Sequence, residues 1–225
     1  MVESKSRTFI GLSILLLAPS AGVAQRLELA AHGGYFLPAT EQFKRAVVRP
    51  TSSGVSVSYY DGHHDPGVAI GLSVTAWPLS RFGLDLAGGV RFCDRSGSAP
   101  FVPGPFLPQP AGDRAVLSSL ALRLVGRTHV GGSAVRLGAG PALVHIGGSA
   151  YDGGTAEISI AKRTLAGATI TADITHIVGP LRLQVGAEDI LYRVVMASLP
   201  AGTDTTRTPL QHDLALSVGV ILRVR

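Results

Sequence analysis

Cysteine, lysine and aromatic residues are all scarce in this chain of 225 residues. The single cysteine, Cys93, excludes an internal disulfide and a cysteine-based metal site. Only three of the 20 Lys and Arg residues are lysines, whereas a soluble β-sheet protein normally covers its solvent-facing surface with Lys and Glu. Aromatic residues make up 6% of the chain and the cations form no stripe, which argues against nucleic-acid binding.

The chain also has no run of about 20 consecutive apolar residues, so no transmembrane helix is available. It is nevertheless 46% apolar, and its 28 glycines and 14 prolines are spread along the whole length. Such a distribution is typical of many strands and turns rather than of disorder. The composition therefore favours an all-β protein.

Residues 1–24 have the composition of a secretory signal peptide. Lys5 and Arg7 supply the positively charged start, and an apolar segment follows them. Residues 22–24 form a small-residue cleavage site. We therefore expect export and cleavage after this site, which leaves a mature domain of residues 25–225.

Residues 67–93 show the strand pattern most clearly. Apolar residues occupy nearly every even position, whereas Gly, Ala, small polar or charged residues occupy the odd positions. A period of two is that of a β-strand with two different faces. Each alternating segment runs for roughly a dozen residues, and a tilted strand needs about 9–11 to cross a bilayer. We interpret this segment as a hairpin of two membrane-spanning strands with a turn at 78–80.

The same alternation occurs eight times along the chain. Alternation becomes irregular near Asp189. Pro141 lies within another strand and predicts a bulge there, because proline donates no ladder hydrogen bond. The predicted strands are 26–37, 67–77, 81–93, 115–125, 134–146, 165–177, 181–194 and 212–225.

The connections between these strands are sorted by length. Between antiparallel neighbours, successive connections emerge at opposite ends of a barrel, so all the long ones lie at one end and all the short ones at the other. That arrangement is typical of bacterial outer-membrane barrels, and a β-sandwich has no reason to show it. The first connection also contains a short alternating piece at 55–59. The connections are 38–66, 78–80, 94–113, 126–133, 147–161, 178–180 and 195–209.

The signal peptide and the segments 27–35, 138–141 and 212–220 together resemble small outer-membrane β-barrel proteins of the OmpA-transmembrane and opacity-protein type. The resemblance covers essentially the whole mature chain and rests on pattern rather than on diagnostic residues. It implies an eight-stranded, antiparallel, up-and-down transmembrane β-barrel in the bacterial outer membrane. It further implies contact with outer-membrane lipid and lipopolysaccharide, and insertion by the barrel assembly machinery.

Charges of both signs occupy the positions that face the lumen. Because an eight-stranded barrel is just wide enough for side chains to fill it, these charges must pair. We interpret them as a salt-bridged plug; the alternative is a gated polar pore. The predicted lumen charges are Glu28, Asp85, Arg91, Arg123, Arg136, Asp173, Arg182, Glu188, Asp213 and Arg223, with His32 beside them.

Two of these pairs follow from counting along the strands. If Cys93 lies opposite Ala115 across the second long connection, Asp85 falls opposite Arg123. Closure of the first strand against the last then brings Glu28 and Arg223 together. Cross-strand neighbours have Cβ atoms about 4.5–5.5 Å apart, so a carboxylate and a guanidinium can pair there.

Other candidate sites have weaker patterns. Asp61, His63, His64 and Asp65 are candidate zinc ligands, but four ligands in five residues surround one ion with difficulty, and a solvated loop tip is the alternative. A Ser-His-acid set would need His145, His176 or His32 near a serine and a carboxylate, and no motif ties any of them to a nucleophile. We therefore predict no catalytic residue, no enzyme activity and no cofactor.

The expected function is a structural or surface-interaction role carried by the long extracellular loops, because function normally lies in loops on a rigid scaffold. The pattern names no extracellular ligand. One alternative is a narrow channel for small solutes. A second is a soluble periplasmic lipocalin-like binding barrel, which is apolar inside and polar outside.

Overall fold

The computed structural model describes residues 26–39, 43–52, 54–96, 113–148, 162–179, 181–195 and 204–224. The signal peptide and its cleavage site lie outside these ranges. Within them, no helix is long and apolar enough to cross a membrane. The strands are β1 (Arg26–Pro38), β2 (Phe43–Thr51), β3 (Gly54–His64), β4 (Gly67–Trp77), β5 (Phe82–Ser96), β6 (Asp113–Val130), β7 (Ser133–Gly147), β8 (Thr164–Val178), β9 (Leu181–Arg193), β10 (Asp204–Arg207) and β11 (Leu210–Val224).

Eight of these strands close into one antiparallel barrel. In chain order, β1, β4, β5, β6, β7, β8, β9 and β11 each pair with the next, and β11 pairs back with β1. Consecutive barrel strands are therefore neighbours all the way round, which is the up-and-down arrangement. The prediction of an all-β, eight-stranded antiparallel barrel is confirmed.

The register of the barrel also agrees with the counting argument. Cys93 lies opposite Ala115, and Asp85 lies opposite Arg123 in the β5–β6 pairing. At the seam, Glu28 lies opposite Arg223 in the β1–β11 pairing. Both predicted cross-strand positions are confirmed.

The short connections lie at one end of the barrel, here called the turn end, and the long connections lie at the other, called the loop end. The short connection between β6 and β7 is tighter than predicted, because β6 continues to Val130 instead of ending at Val125. Gly131 then adopts a positive φ of 58°, which suits a two-residue turn between strands. The polar residues of 126–130 interrupt the apolar alternation, so this extension of β6 was not predicted.

The first long connection is not simply a loop. Its residues form β2 and β3, which pair with each other, and β10 from the last long connection pairs with β2. His63 and His64 of β3 also pair with the end of β5. These three strands, called the loop sheet, extend the β-structure beyond the barrel at the loop end.

The predicted bulge at Pro141 is wrong. Ala121 pairs with Ala142 on one side of it and Leu124 pairs with Ala139 on the other, so the β6–β7 register does not shift. Pairing with β6 is interrupted only around Pro141 itself, while Pro141 remains opposite Ala168 of β8. The missing N–H is therefore accommodated by a local gap rather than by an extra residue.

Alternation gives the barrel an apolar outer wall. The exposed fractions of Leu72, Leu124 and Val218 are 66%, 62% and 64%, and similar apolar side chains face outward from every barrel strand. Charged groups such as Asp85 and Arg123 are buried inside. This is the arrangement of a transmembrane barrel and the reverse of a lipocalin, which is apolar inside.

Candidate functional site

The interior of the barrel has two parts. Toward the turn end and at mid-height it is filled by charged and hydroxyl side chains, which we call the charged half. Toward the loop end it is filled by buried apolar side chains, which we call the apolar half. Strand geometry places both sets on the inner face, since every second residue of each strand points there.

Four charges form a central cluster: Asp85, Arg91, Arg123 and Glu188. Arg123 donates from Nε to Asp85 Oδ2 at 2.8 Å and from Nη1 to Glu188 Oε1 at 2.9 Å. Arg91 donates from Nη2 to Glu188 Oε2 at 2.9 Å. Two cations and two anions therefore neutralise each other through direct, charge-assisted hydrogen bonds.

Threonine hydroxyls support the carboxylates of this cluster. Thr75 donates to Asp85 Oδ1 at 2.7 Å, and Thr169 donates to Glu188 Oε1 at 3.3 Å. Thr75 also accepts a hydrogen bond from Arg136 Nη2 at 3.1 Å. Thr75 thereby links the central cluster to the charges nearer the turn end.

A second group of charges surrounds Glu28 near the turn end. Arg127 Nη1 and Arg182 Nη1 both lie 3.4 Å from Glu28 Oε1, and Arg223 Nε lies 3.7 Å from it. Arg136 Nη1 lies 3.8 Å from Oε2. We call these four arginines the arginine basket. Four positive charges against one carboxylate leave an excess of three.

Trp77 holds this group in place. Its Nε1 donates to Glu28 Oε2 at 2.9 Å, and its ring lies 3.9 Å from the guanidinium carbon of Arg127 and 5.5 Å from that of Arg136. Both geometries are those of cation–π contacts. Sequence reasoning gave neither Trp77 nor Arg127 a role in the lumen, although continued odd–even counting along β6 would have placed Arg127 inside.

Asp173 and His32 lie in the charged half without joining either group. Asp173 hydrogen-bonds the side chain of Gln184, and it lies opposite Arg136 in the β7–β8 pairing. A Cβ on Gly71 would overlap the imidazole of His32, so that glycine provides the space for the ring. The lumen charges predicted from sequence all face inward, and Thr75 is the bridge through which Arg136 of the basket contacts the central cluster.

The apolar half was not predicted. Asp213 is the predicted lumen charge that lies within it, where its Oδ2 accepts a 2.8 Å hydrogen bond from the Tyr192 hydroxyl. The signal for this region is a run of apolar residues at consecutive positions near the loop ends of the strands. Its largest fully buried apolar or aromatic side chains are Tyr192, Phe36, Leu117, Ile146, Ile190, Val144 and Val194.

The cavities along the charged half are small. One of about 40 Å³ lies beside the arginine basket, and two of about 20 Å³ each lie beside His32 and the central cluster. One water needs roughly 10–15 Å³ of such space. These cavities therefore have room for between one and about three waters each.

Of the metal-site candidates, only His63 and Asp65 are seen to lie close together among the described side chains, with 3.6 Å between His63 Nε2 and Asp65 Oδ1. His63 and His64 are consecutive residues of β3, so their side chains point to opposite faces, and the side chain of Asp61 lies outside the described residues. His64 is buried with its ring centroid 6.5 Å from that of Phe36. Burial, with the charges of Arg95 and His63, lowers the pKa of His64 to about 3. In the part of the chain that the structure describes, no group of three or more His, Cys, Asp or Glu could hold a metal ion.

Two histidines lie within hydrogen-bond distance of hydroxyl groups on the outer wall. His176 Nδ1 lies 3.0 Å from Ser133 Oγ, and His145 Nδ1 lies 3.0 Å from Thr164 Oγ1. The described contacts of these two rings include no carboxylate, so neither pair completes a catalytic triad. The expectation that the chain is not an enzyme stays a prediction.

No family model matches the chain, and no curated protein matches it in sequence. Solved structures do match. Outer membrane protein AlkL, determined by solid-state NMR in DMPC lipid bilayers, is 13% identical with a TM-score of 0.54, and the match covers 100% of this chain and 98% of that one. Outer membrane protein OprG from Pseudomonas aeruginosa is 9% identical with a TM-score of 0.51, over 87% of this chain and 95% of that one. At these identities the likeness establishes the fold, which is that of small outer-membrane β-barrel proteins.

Proposed function

We propose that the protein is a sealed barrel of the bacterial outer membrane that has a structural or surface-interaction role. The observation that carries this proposal is the closed interior, because a barrel that passes no solute leaves function to its surfaces. Two different devices support closure: buried apolar packing toward the loop end and direct ion pairing at mid-height.

The apolar half provides the tighter seal. Phe36, Leu117 and Ile146 are 0% exposed, and Ile190 and Tyr192 are 1% exposed, so water does not reach these side chains from either mouth. An ion that crossed this layer would lose its hydration among mostly apolar side chains, where the polar groups of Tyr192 and Asp213 already bond each other. Conduction would therefore require the packed side chains to move apart.

The loop sheet supports a role at the cell surface. Backbone pairing of β10 with β2 joins the first and last long connections, and pairing of β3 with β5 joins the sheet to the barrel. A hydrogen-bonded platform of this kind holds binding residues in a fixed arrangement, and binding residues are commonly carried by connections on a rigid scaffold.

The location and surroundings belong to the same proposal. The apolar outer wall suits contact with outer-membrane lipid and lipopolysaccharide, and insertion would use the barrel assembly machinery. Export would use residues 1–24 as the signal peptide. Membrane fractionation should place the protein in the outer membrane with heat-modifiable gel mobility, and mass spectrometry should find Gln25 as its first residue. Recovery without detergent in the periplasmic fraction would contradict the proposal.

Single-channel recording in planar bilayers tests the seal. We expect the parent protein to show no steady conductance, and we expect Leu117→Gly combined with Ile146→Gly to produce openings because both substitutions remove buried volume. Leu143→Gly, on the outer wall of β7, is the matched control and should stay closed. Steady conductance of the parent would favour the narrow channel instead.

The surface role is tested by replacing residues 43–64 with a short Gly-Ser turn. We expect the barrel to keep its heat-modifiable mobility, because its eight strands do not include β2 or β3. Attachment of bacteria that display the parent protein to host-cell or abiotic surfaces should fall with the replacement. Unchanged attachment would remove the loop sheet from the proposed role.

A further inference from the structure

We propose that three arginines of the basket, Arg127, Arg136 and Arg182, together with Thr175, bind a phosphate-class oxyanion at the turn end of the barrel. This site is separate from the loop sheet, and its occupation does not depend on a surface-interaction role. Three observations support the proposal: an unbalanced charge, buried donors without acceptors, and a cavity lined by the residues that carry those donors.

The charge around Glu28 is not balanced. Its contacts with the four basket arginines span 3.4–3.8 Å, whereas direct charge-assisted hydrogen bonds are about 2.7–2.9 Å long. Arg127 and Arg182 reach Glu28 only through long hydrogen bonds of 3.4 Å, and Arg136 keeps donors that Glu28 does not satisfy. Asp173, opposite Arg136 on β8, reduces the excess of positive charge from three to two. The central cluster, by contrast, is neutral and directly bonded.

Two buried groups beside this charge have no acceptor. Arg136 is 5% exposed, and its Nε and Nη1 have no hydrogen-bond partner among the described residues. Thr175 is 6% exposed, and its Oγ1 also has no partner among them. A buried donor without a partner loses hydration and gains nothing in return, so such groups mark the position of an acceptor.

Both groups line the cavity of about 40 Å³, as do Glu28, Arg127 and Arg182. Ser133, next to the β6–β7 turn, lines it as well, so the cavity is reached from the turn end. Since one water needs roughly 10–15 Å³, this space takes about three waters or one small tetrahedral oxyanion. The volume of the cavity and the hydrogen-bond donors around it therefore both suit a small oxyanion.

The chemistry favours phosphate over other small anions. Guanidinium groups present planar forks of N–H donors that match phosphate or carboxylate oxygens. Donors here come from β6, β7, β8 and β9 around one space, which suits a tetrahedral group better than a flat carboxylate. A multiply charged anion also neutralises an excess that a monoanion such as chloride leaves in place.

Titration with inorganic phosphate tests the site in protein folded in an uncharged detergent at constant ionic strength. The readout is the NMR resonance of the Arg136 Nε–H group, which a bound acceptor should shift. We expect Thr175→Val, which removes one donor at nearly constant volume, to weaken phosphate binding roughly tenfold. Glu28→Gln should tighten it because the competing carboxylate charge is removed. Arg81→Gln is the control, since Arg81 is an exposed arginine at the same end of the barrel, and it should leave the affinity unchanged.

A second titration uses micelles that contain short-chain phosphatidylglycerol in place of inorganic phosphate. A shift of the Arg136 signal with inorganic phosphate identifies a free anion as the ligand, whereas a shift with the lipid alone identifies a headgroup. No shift with either source would overturn the proposal. It would also be overturned if Thr175→Val and Arg81→Gln bound phosphate as well as the parent does.

Discussion

The charged half and the apolar half of the lumen are built on the same eight strands but are held together in different ways. In the charged half, Arg123 serves Asp85 and Glu188 at once, so each group depends on its partners. In the apolar half, side chains such as Ile146 contribute through packing, which involves many weak contacts and no single partner. Removal of one group should therefore disturb its partners throughout the charged half, whereas in the apolar half the effect should stay local.

The difference also separates the two mouths of the barrel. The apolar half packs buried side chains at the loop end, whereas the arginine basket lies beside a cavity at the turn end. Buried charges are stable in a protein interior only when they are paired or hydrated. Within the charged half, the central cluster has direct hydrogen bonds of 2.8–2.9 Å, whereas the basket contacts beside the cavity span 3.4–3.8 Å.

The largest expected effect is at the centre of the charged half. Arg123→Gln leaves Asp85 without its cation and Glu188 with one of its two, so the free energy of unfolding should fall by about 3–5 kcal/mol. Urea unfolding in lipid vesicles measures this, and exposed Arg81→Gln is the control. Adding Asp85→Asn should restore part of the loss, and a double mutant as unstable as the sum of both would contradict the coupling.

Ile146→Ala tests the apolar half. Removal of this fully buried side chain should lower the free energy of unfolding by about 2–5 kcal/mol, because the cavity is only partly refilled. Leu143→Ala, on the outer wall of the same strand, is the matched control and should have a smaller effect in lipid. In the double mutant Ile146→Ala with Arg123→Gln, the two losses of unfolding free energy should add to within about 0.5 kcal/mol, since the two sites share no partner. Strong coupling between them would remove the distinction between the halves.

Tyr192→Phe sharpens the comparison, because Tyr192 and Asp213 are a polar pair inside the apolar half. Loss of the 2.8 Å hydrogen bond to a buried carboxyl group should reduce the free energy of unfolding by about 1.5–3 kcal/mol. Tyr35→Phe on the outer wall should change it little. If Tyr192→Phe no longer costs stability once Asp213→Asn is present, the pair behaves like the charged half despite its apolar surroundings.

The sequence predicts the barrel well because alternation and the lengths of connections are local signals. Asp85 and Arg123 could be paired by counting, since a single even register brings two opposite charges together. The apolar half was not predicted because residues such as Val144 and Leu165 adjoin outward-facing apolar residues, where alternation loses its contrast. The loop sheet was not predicted because β10 and β2 are far apart in the chain, and periodicity within a segment gives no information about such non-local pairing.

The smallest expected effect concerns Arg223, the seam residue of the basket. Its side chain is 37% exposed and its Nε lies 3.7 Å from Glu28, so solvent screens the pair, and Arg223→Gln should lower the free energy of unfolding by no more than about 1 kcal/mol. Glu28→Gln should cost more, because it leaves the other three basket arginines facing one another without their shared anion.

The double mutant decides between pairwise bonding and shared charge in the basket. If Glu28 acts through its whole surroundings, removing Arg223 relieves part of the repulsion that Glu28→Gln creates, and the double mutant is less damaged than the sum of the single mutants. The coupling should nevertheless be smaller than that between Asp85 and Arg123, which bond directly at 2.8 Å. Equal coupling in the two double-mutant cycles, measured in the same lipid and salt, would show that the basket is held by individual pairs like the central cluster.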